Sequence, residues 1–159
     1  MNTALHDELD TLDALTLVER VRAAGIVGAG GAGFPTHVKL QAQVEIFLVN
    51  AAECEPMLKV DQQLMAQQAA RLIRGVQYAM KATGAREGII ALKEKYQPAI
   101  AALTPLLPPT IRLHILPDVY PAGDEVLTIW MATGRRVPPA ARPVSVGVVV
   151  NNVQTPLNI

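Results

Sequence analysis

"VEIFLVNAAECEP", residues 44–56, is the stretch on which the reading of the fold turns. Residues 44–52 form a short apolar run with Val44, Ile46 and Val49, as in a strand buried on both faces. The run then breaks into the carboxylates Glu53 and Glu55. Toward the C-terminus, residues 61–83 carry a helical period, with Asp61 placed as N-cap and Gly84 as stop. "EGIIALK" (87–93) reads as the next strand, and "QPAIAALTPLL" (97–107) as a short helix ended by prolines. "IRLHILPD" (111–118) is a third strand, residues 121–134 hold a helix halted at Gly134, and "SVGVVVNN" (145–152) is a fourth strand. Toward the N-terminus lies the glycine-rich "GIVGAGGAGFPTHVKL" (25–40). Before it, "LDALTLVERVRAA" (12–24) reads as an amphipathic helix with Leu12, Leu15, Leu17, Val18 and Val21 near one face. Strands alternating with helices predict an α/β fold: an open, mainly parallel sheet of about four strands with helices on both faces.

Composition supports that class. Half of the 159 residues are hydrophobic and only 4% aromatic, so the core is aliphatic. Fourteen basic residues balance fourteen acidic ones, which gives no electrostatic footprint for nucleic acid or an anionic membrane. No apolar run approaches the ~20 residues of a membrane helix. One cysteine, Cys54, is too few for an internal disulfide or a cysteine-held cluster. The chain ends at "NNVQTPLNI" with no polar tail or closing helix, and the expectation is a piece of something longer.

In open α/β sheets ligands sit beyond the carboxyl ends of the strands. Four stretches converge there: "FPTHVK", "NAAECEP", "YPAGDE" and "NNVQT". Each alone is as readily an ordinary turn. Gly28, Gly30 and Gly33 match a G-x-G-x-x-G spacing, whose glycines let backbone N–H groups approach a phosphate. The residues before them read as a helix end rather than a strand, and no G-K-[ST] follows. Glu53, Glu55, Asp124 and Glu125 read either as a metal or acid–base group or as solvated loop charge. His114 alternates within a strand and reads as structural, His37 lies beside the glycine loop, and Trp130 and Met131 fit helix packing. Two flanking glutamates disfavour the Cys54 thiolate.

Together the four motifs resemble the flavin-binding domain of the NADH-oxidising subunit of respiratory complex I. The C subunit of the Rnf electron-transport complex is closer, and the cobalamin reductases of propanediol-utilisation microcompartments closest. The resemblance runs from about Gly25 to the end. It implies a Rossmann-like domain over 25–159, preceded by an amphipathic segment over 1–24, that binds FMN noncovalently and takes hydride from NADH. It implies that Gly28, Gly30, Gly31, Ala32 and Gly33 lie along the flavin and NADH phosphates, with Phe34 by the dinucleotide. Lys39 would reach the FMN phosphate or ribityl chain. Asn50, Glu53 and Glu55 would face the isoalloxazine edge. Tyr120, Gly123, Asp124 and Glu125 would pack along the flavin, and Asn151, Asn152 and Thr155 would hold the FMN phosphate. No catalytic acid or base and no metal ligand is implied within the chain; 4Fe-4S clusters are expected only in a region beyond it.

The implied partners are NADH, a corrinoid or an adenosyltransferase as downstream acceptor, and a microcompartment shell protein docking on the first helix. The implied location is the bacterial cytoplasm, inside a microcompartment, in the service of a B12-dependent diol dehydratase. Three departures stand out: Ala29 for an arginine, Ala52 for an aspartate, and Asp124 for a glutamate, which predict weaker flavin or NADH binding. The Rnf-type subunit and a pure docking module are the competing readings. Gly31→Val is expected to abolish FMN binding by blocking backbone approach.

Overall fold

A computed structural model of the chain describes residues 11–53, 55 and 57–159. Four parallel strands form one sheet in the order β3-β2-β1-β4: β1 Ile46–Asn50, β2 Glu87–Lys93, β3 Ile111–Leu116 and β4 Val148–Asn152. The chain steps outward from β1 to β3, then crosses back to lay β4 on the opposite flank of β1. The helices are α1 Ala14–Ala23, α2 Thr36–Leu40, α3 Val60–Gln67, α4 Ala69–Thr83, α5 Gln97–Leu103, α6 Glu125–Thr133 and α7 Gln154–Asn158.

The aliphatic strands are buried on both faces, as the apolar runs require. Phe47 and Val49 of β1 join Ile90 and Leu92 of β2 in the larger core, covered by Val18 and Val21 of α1, Leu72 and Val76 of α4 and Leu103 of α5. Ile46 and Leu48 point the other way, with Ile89, Val148 and Val150, onto Ile129 and Ala132 of α6. Each fully buried Ile, Leu or Val contributes roughly 1.5–3 kcal/mol. The expected α/β architecture with helices on both faces is the one observed.

Several local readings need correction. The helix expected over 61–83 is two helices broken at Gln68 (φ −126°, ψ 32°), with no glycine or proline nearby to mark the break. Lys59, not Asp61, is the N-cap of α3. Strands β1, β3 and β4 are shorter than their apolar runs, and the last is preceded by a 3-10 turn over Pro143–Val146. The chain does carry a closing helix, α7, and the glycine loop runs into α2; at five residues each, both are too short to show a helical period. Leu15, read on the apolar face of α1, is 75% exposed, whereas Leu17, Val18 and Val21 are buried. Gly84 and Gly134 do end α4 and α6, both in the left-handed conformation (φ 67° and 72°) that glycine adopts without strain.

Two glycines show how tightly α4 is held. A Cβ on Gly75 would stand 1.8 Å from the Pro156 carbonyl oxygen, so α4 and α7 meet backbone to backbone. A Cβ on Gly88 would crowd Met80 and Ile111, where β2 passes beneath α4.

Candidate functional site

Strand order reverses between β1 and β4, and the crevice at such a reversal is where open α/β sheets take ligands. A groove of about 700 Å³ lies there, within the ~300–1,000 Å³ usual for small-molecule sites. Asn50 of β1 and Val149, Val150, Asn151 and Asn152 of β4 line it from the sheet. Gly28, Gly30, Ala32, Gly33 and Phe34 line it from the glycine loop, and Val38, Lys39 and Ala42 from α2 and just beyond. Gly123 and Glu125 come from the start of α6, and Arg142, Pro143 and Val144 from the turn before β4.

The glycine loop is a closed hairpin-like turn. An antiparallel bridge pairs Val27 with Pro35, Gly28 N–H donates to Phe34 O (2.8 Å), and Thr36 N–H donates to Ile26 O (3.0 Å). Ala29 N–H donates to Thr155 Oγ1 (3.1 Å), pinning the loop to α7. Gly30 lies against Asn152, and a Cβ there would stand 2.3 Å from Asn152 Oδ1. Gly31 (φ +95°) faces open space, so a larger residue there acts through backbone strain rather than by filling a contact.

Lys39 enters from α2, and its Nζ donates to Val150 O (2.7 Å). Ile46 N–H donates to the Gly147 carbonyl, and carbonyl directions alternate along a strand, so the Val150 carbonyl faces the open edge of β4. Lys39 satisfies that edge group and brings a positive charge into the groove. Burial pushes its ammonium below the ordinary lysine value, and Glu125 pulls it partly back. Asn151 is buried, and its Nδ2 has no hydrogen-bond partner among the described residues; nor has buried Thr36 Oγ1, at the loop's exit. An unpaired buried amide costs about 1–3 kcal/mol, which a ligand acceptor would recover.

The remaining residues singled out in the sequence hold the frame. Asn50 Nδ2 donates to Gly123 O (2.8 Å), and its Oδ1 accepts from Ala52 N–H (3.2 Å), tying the end of β1 to the loop before α6. Asp124 is the N-cap of α6, accepting from Leu127 N–H (3.0 Å). Glu53 accepts from Asp61 N–H (3.0 Å) and Gln62 Nε2 (3.4 Å) at the start of α3. Asp61 in turn accepts from Gln154 Nε2 (3.2 Å) of α7, and burial raises its carboxyl above the usual range. Thr155 is buried behind the loop, Glu55 is exposed, and Tyr120 is 86% exposed; none of these, nor Gly31, Glu53 or Asp124, lines the groove. Cys54 lies outside the described residues. The four carboxylates do not converge, and among the described residues no group of three or more His, Cys, Asp or Glu side chains could hold a metal ion. Arg142, Pro143 and Val144 escape a reading of the sequence because "RRVPPAARP" reads as a proline-rich connector.

A parallel sheet, a reversal of strand order, a glycine loop laid against the end of β4 and a half-buried cation suit a nucleotide-type cofactor domain of the doubly wound α/β class. The glycine loop packed on Asn152 at Gly30, and among the described residues an unpaired amide at Asn151, suit a phosphate-bearing cofactor. The sequence matches the Nuo51 FMN-binding domain family over residues 21–159, and the chain belongs to that family. It is 84% identical over 159 residues to cobalamin reductase PduS of Citrobacter freundii, covering 100% of this chain and 35% of that protein. Over the same span it is 82% identical to cobalamin reductase PduS of Salmonella typhimurium. It is 42% identical over 160 residues to the C subunit of the Na(+)-translocating ferredoxin:NAD(+) oxidoreductase complex of Acetobacterium woodii, covering 97% of this chain and 36% of that one. The chain thus spans about a third of the length of these relatives. Among solved structures, the air-oxidised NAD+-reducing nickel–iron hydrogenase aligns with a TM-score of 0.77 and 31% identity, covering 96% of this chain and 33% of that one. Among the described residues no helix is long and apolar enough to cross a membrane.

Proposed function

We propose that the chain binds FMN in the groove and takes hydride from NADH, as the electron-input domain of a cobalamin reductase. The observation that carries this reading is the joint at Gly30. There the glycine loop packs on the Asn152 side-chain amide, which any side chain at Gly30 would displace, near the Asn151 amide and the Lys39 ammonium. Bound FMN would supply the exchange of two-electron for one-electron transfer. The chain's own residues do the holding. Lys39 offers positive charge to a phosphate or to ribityl oxygens, and Asn151 offers a free donor. The Gly28–Gly33 loop offers backbone N–H groups at close range. Phe34, Val38 and Val144, exposed in the groove, offer an apolar wall for a ligand to cover. Gly123, fixed by Asn50, and Glu125, at the first turn of α6, close the opposite side.

The 84% identity to PduS, against 42% to the Rnf-type subunit, favours cobalamin reduction over ferredoxin-linked transfer. On this reading electrons leave through iron–sulfur clusters elsewhere in the full-length protein, toward cob(III)/cob(II)alamin or an adenosyltransferase. That chemistry reactivates a B12-dependent diol dehydratase in the bacterial cytoplasm, inside a propanediol-utilisation microcompartment. Burial of Leu17, Val18 and Val21 supports α1 as part of the domain rather than as a docking helix for a shell protein.

The test is a fluorescence titration of the purified chain with FMN. Saturable quenching at one flavin per chain is expected. Flavin fluorescence that stays that of free FMN up to a large excess of protein would refute the reading.

A further inference from the structure

The groove has two cationic positions, and one cofactor phosphate accounts for only one of them. Lys39 stands beside Val150, near the carboxyl end of β4, where Asn151, Asn152 and the glycine loop gather. Arg142 lines the same groove, together with Pro143 and Val144 of the turn before β4. Val149 to Asn152 alone spans about 10 Å at ~3.3 Å per residue, so the groove is long enough for a ligand with anions at separated points. Arg142 is exposed, and its guanidinium forms no ion pair or hydrogen bond with any described residue. By contrast, Arg112 and Arg135 are both occupied, with Glu87 and Glu45. Among the described residues the one carboxylate lining the groove, Glu125, acts on Lys39. A planar guanidinium beside an apolar slot suits a nucleoside diphosphate, because it meets phosphate oxygens two at a time while the base packs on aliphatic side chains.

We propose that Arg142 binds the diphosphate of the pyridine dinucleotide, with the adenosine half against the 142–144 turn, while Lys39 serves FMN. The inference rests on the reading of the groove as an FMN and NADH site and adds the residue that holds the second nucleotide. Arg142 is a binding residue here and takes no part in hydride transfer.

ADP-ribose, which carries the diphosphate and adenosine but no nicotinamide, separates the two nucleotides. It is titrated by calorimetry into the FMN-loaded chain, in wild type, Arg142→Ala and Arg142→Lys, and FMN is titrated separately into each flavin-free chain. The expected result is ADP-ribose binding at least tenfold weaker in Arg142→Ala, partly restored in Arg142→Lys, with FMN affinity within twofold of wild type throughout. Unchanged ADP-ribose affinity in Arg142→Ala would overturn the proposal. So would parallel loss of FMN and ADP-ribose affinity, which would assign Arg142 to the flavin or to the frame. A wild-type chain that takes FMN but not ADP-ribose would overturn this inference alone; one that takes no FMN would overturn the reading beneath it as well.

Discussion

Gly30 and Lys39 carry most of the weight at the scale of single residues. Gly30→Val drives a side chain into Asn152 Oδ1, 2.3 Å from where its Cβ must stand. The position is exposed, so the thermal midpoint is expected to hold while FMN affinity falls at least tenfold, about 1.4 kcal/mol. Flavin titration beside a melting curve checks both halves. Gly31→Val, at φ +95° with open space around it, should also weaken FMN, but through a shifted loop rather than a blocked contact. For Lys39, burial lowers the pKa below its ordinary 10.5, so the ammonium loses its proton at a lower pH than a free lysine. The charged form is the one that attracts phosphate. FMN affinity should therefore fall as pH rises through that depressed value, and Lys39→Met should be weak and flat across the same range. A pH series of FMN titrations decides it, and a wild-type profile with no fall below the pH at which a free lysine titrates would contradict the role given to Lys39. The Gly28, Gly30 and Gly33 spacing was legible in the sequence because a turn is local, whereas Lys39, Asn151 and Asn152 were singled out only by the resemblance. The employment of Asn50, Glu53 and Asp124 was not. Their partners, Gly123, Asp61 and Leu127, are fixed only once β1, α3 and α6 are assembled.

The α4–α7 contact is the joint on which the site depends at the scale of elements. Gly75 touches the Pro156 carbonyl, the adjacent Thr155 pins the glycine loop at Ala29, and Gln154 reaches Asp61 of α3. Gly75→Ala gains a little helix propensity but overpacks backbone that has nowhere to move, a cost of about 1–3 kcal/mol or more. The thermal midpoint should drop by roughly 3–10 °C, at ~2–4 °C per kcal/mol for a chain of this size, with FMN affinity falling alongside it. A melting curve equal to wild type would show that α7 does not hold the loop from behind. Val18→Asp tests α1 in the same spirit. A charge placed where Val18 is 4% exposed should leave the chain insoluble or unfolded, whereas a docking helix would tolerate it. Strand identity and order of elements were readable because aliphatic runs and their glycine stops, Gly84 and Gly134, are strong local signals. The break at Gln68 was not, since no residue there forbids a helix.

At the scale of the whole molecule the proposed function is directional: on that reading electrons would enter through this domain and leave through clusters elsewhere in the full-length protein. The chain belongs to an FMN-binding domain family, and the proposal puts the cofactor at the strand reversal between β1 and β4. What the chain does with the cofactor is a matter of reduction. The direct measurement is the visible spectrum of the FMN-loaded chain under anaerobic conditions before and after addition of NADH. The account predicts that the flavin bands bleach on mixing and return when air is admitted. Bound flavin whose bands persist in excess NADH would contradict it.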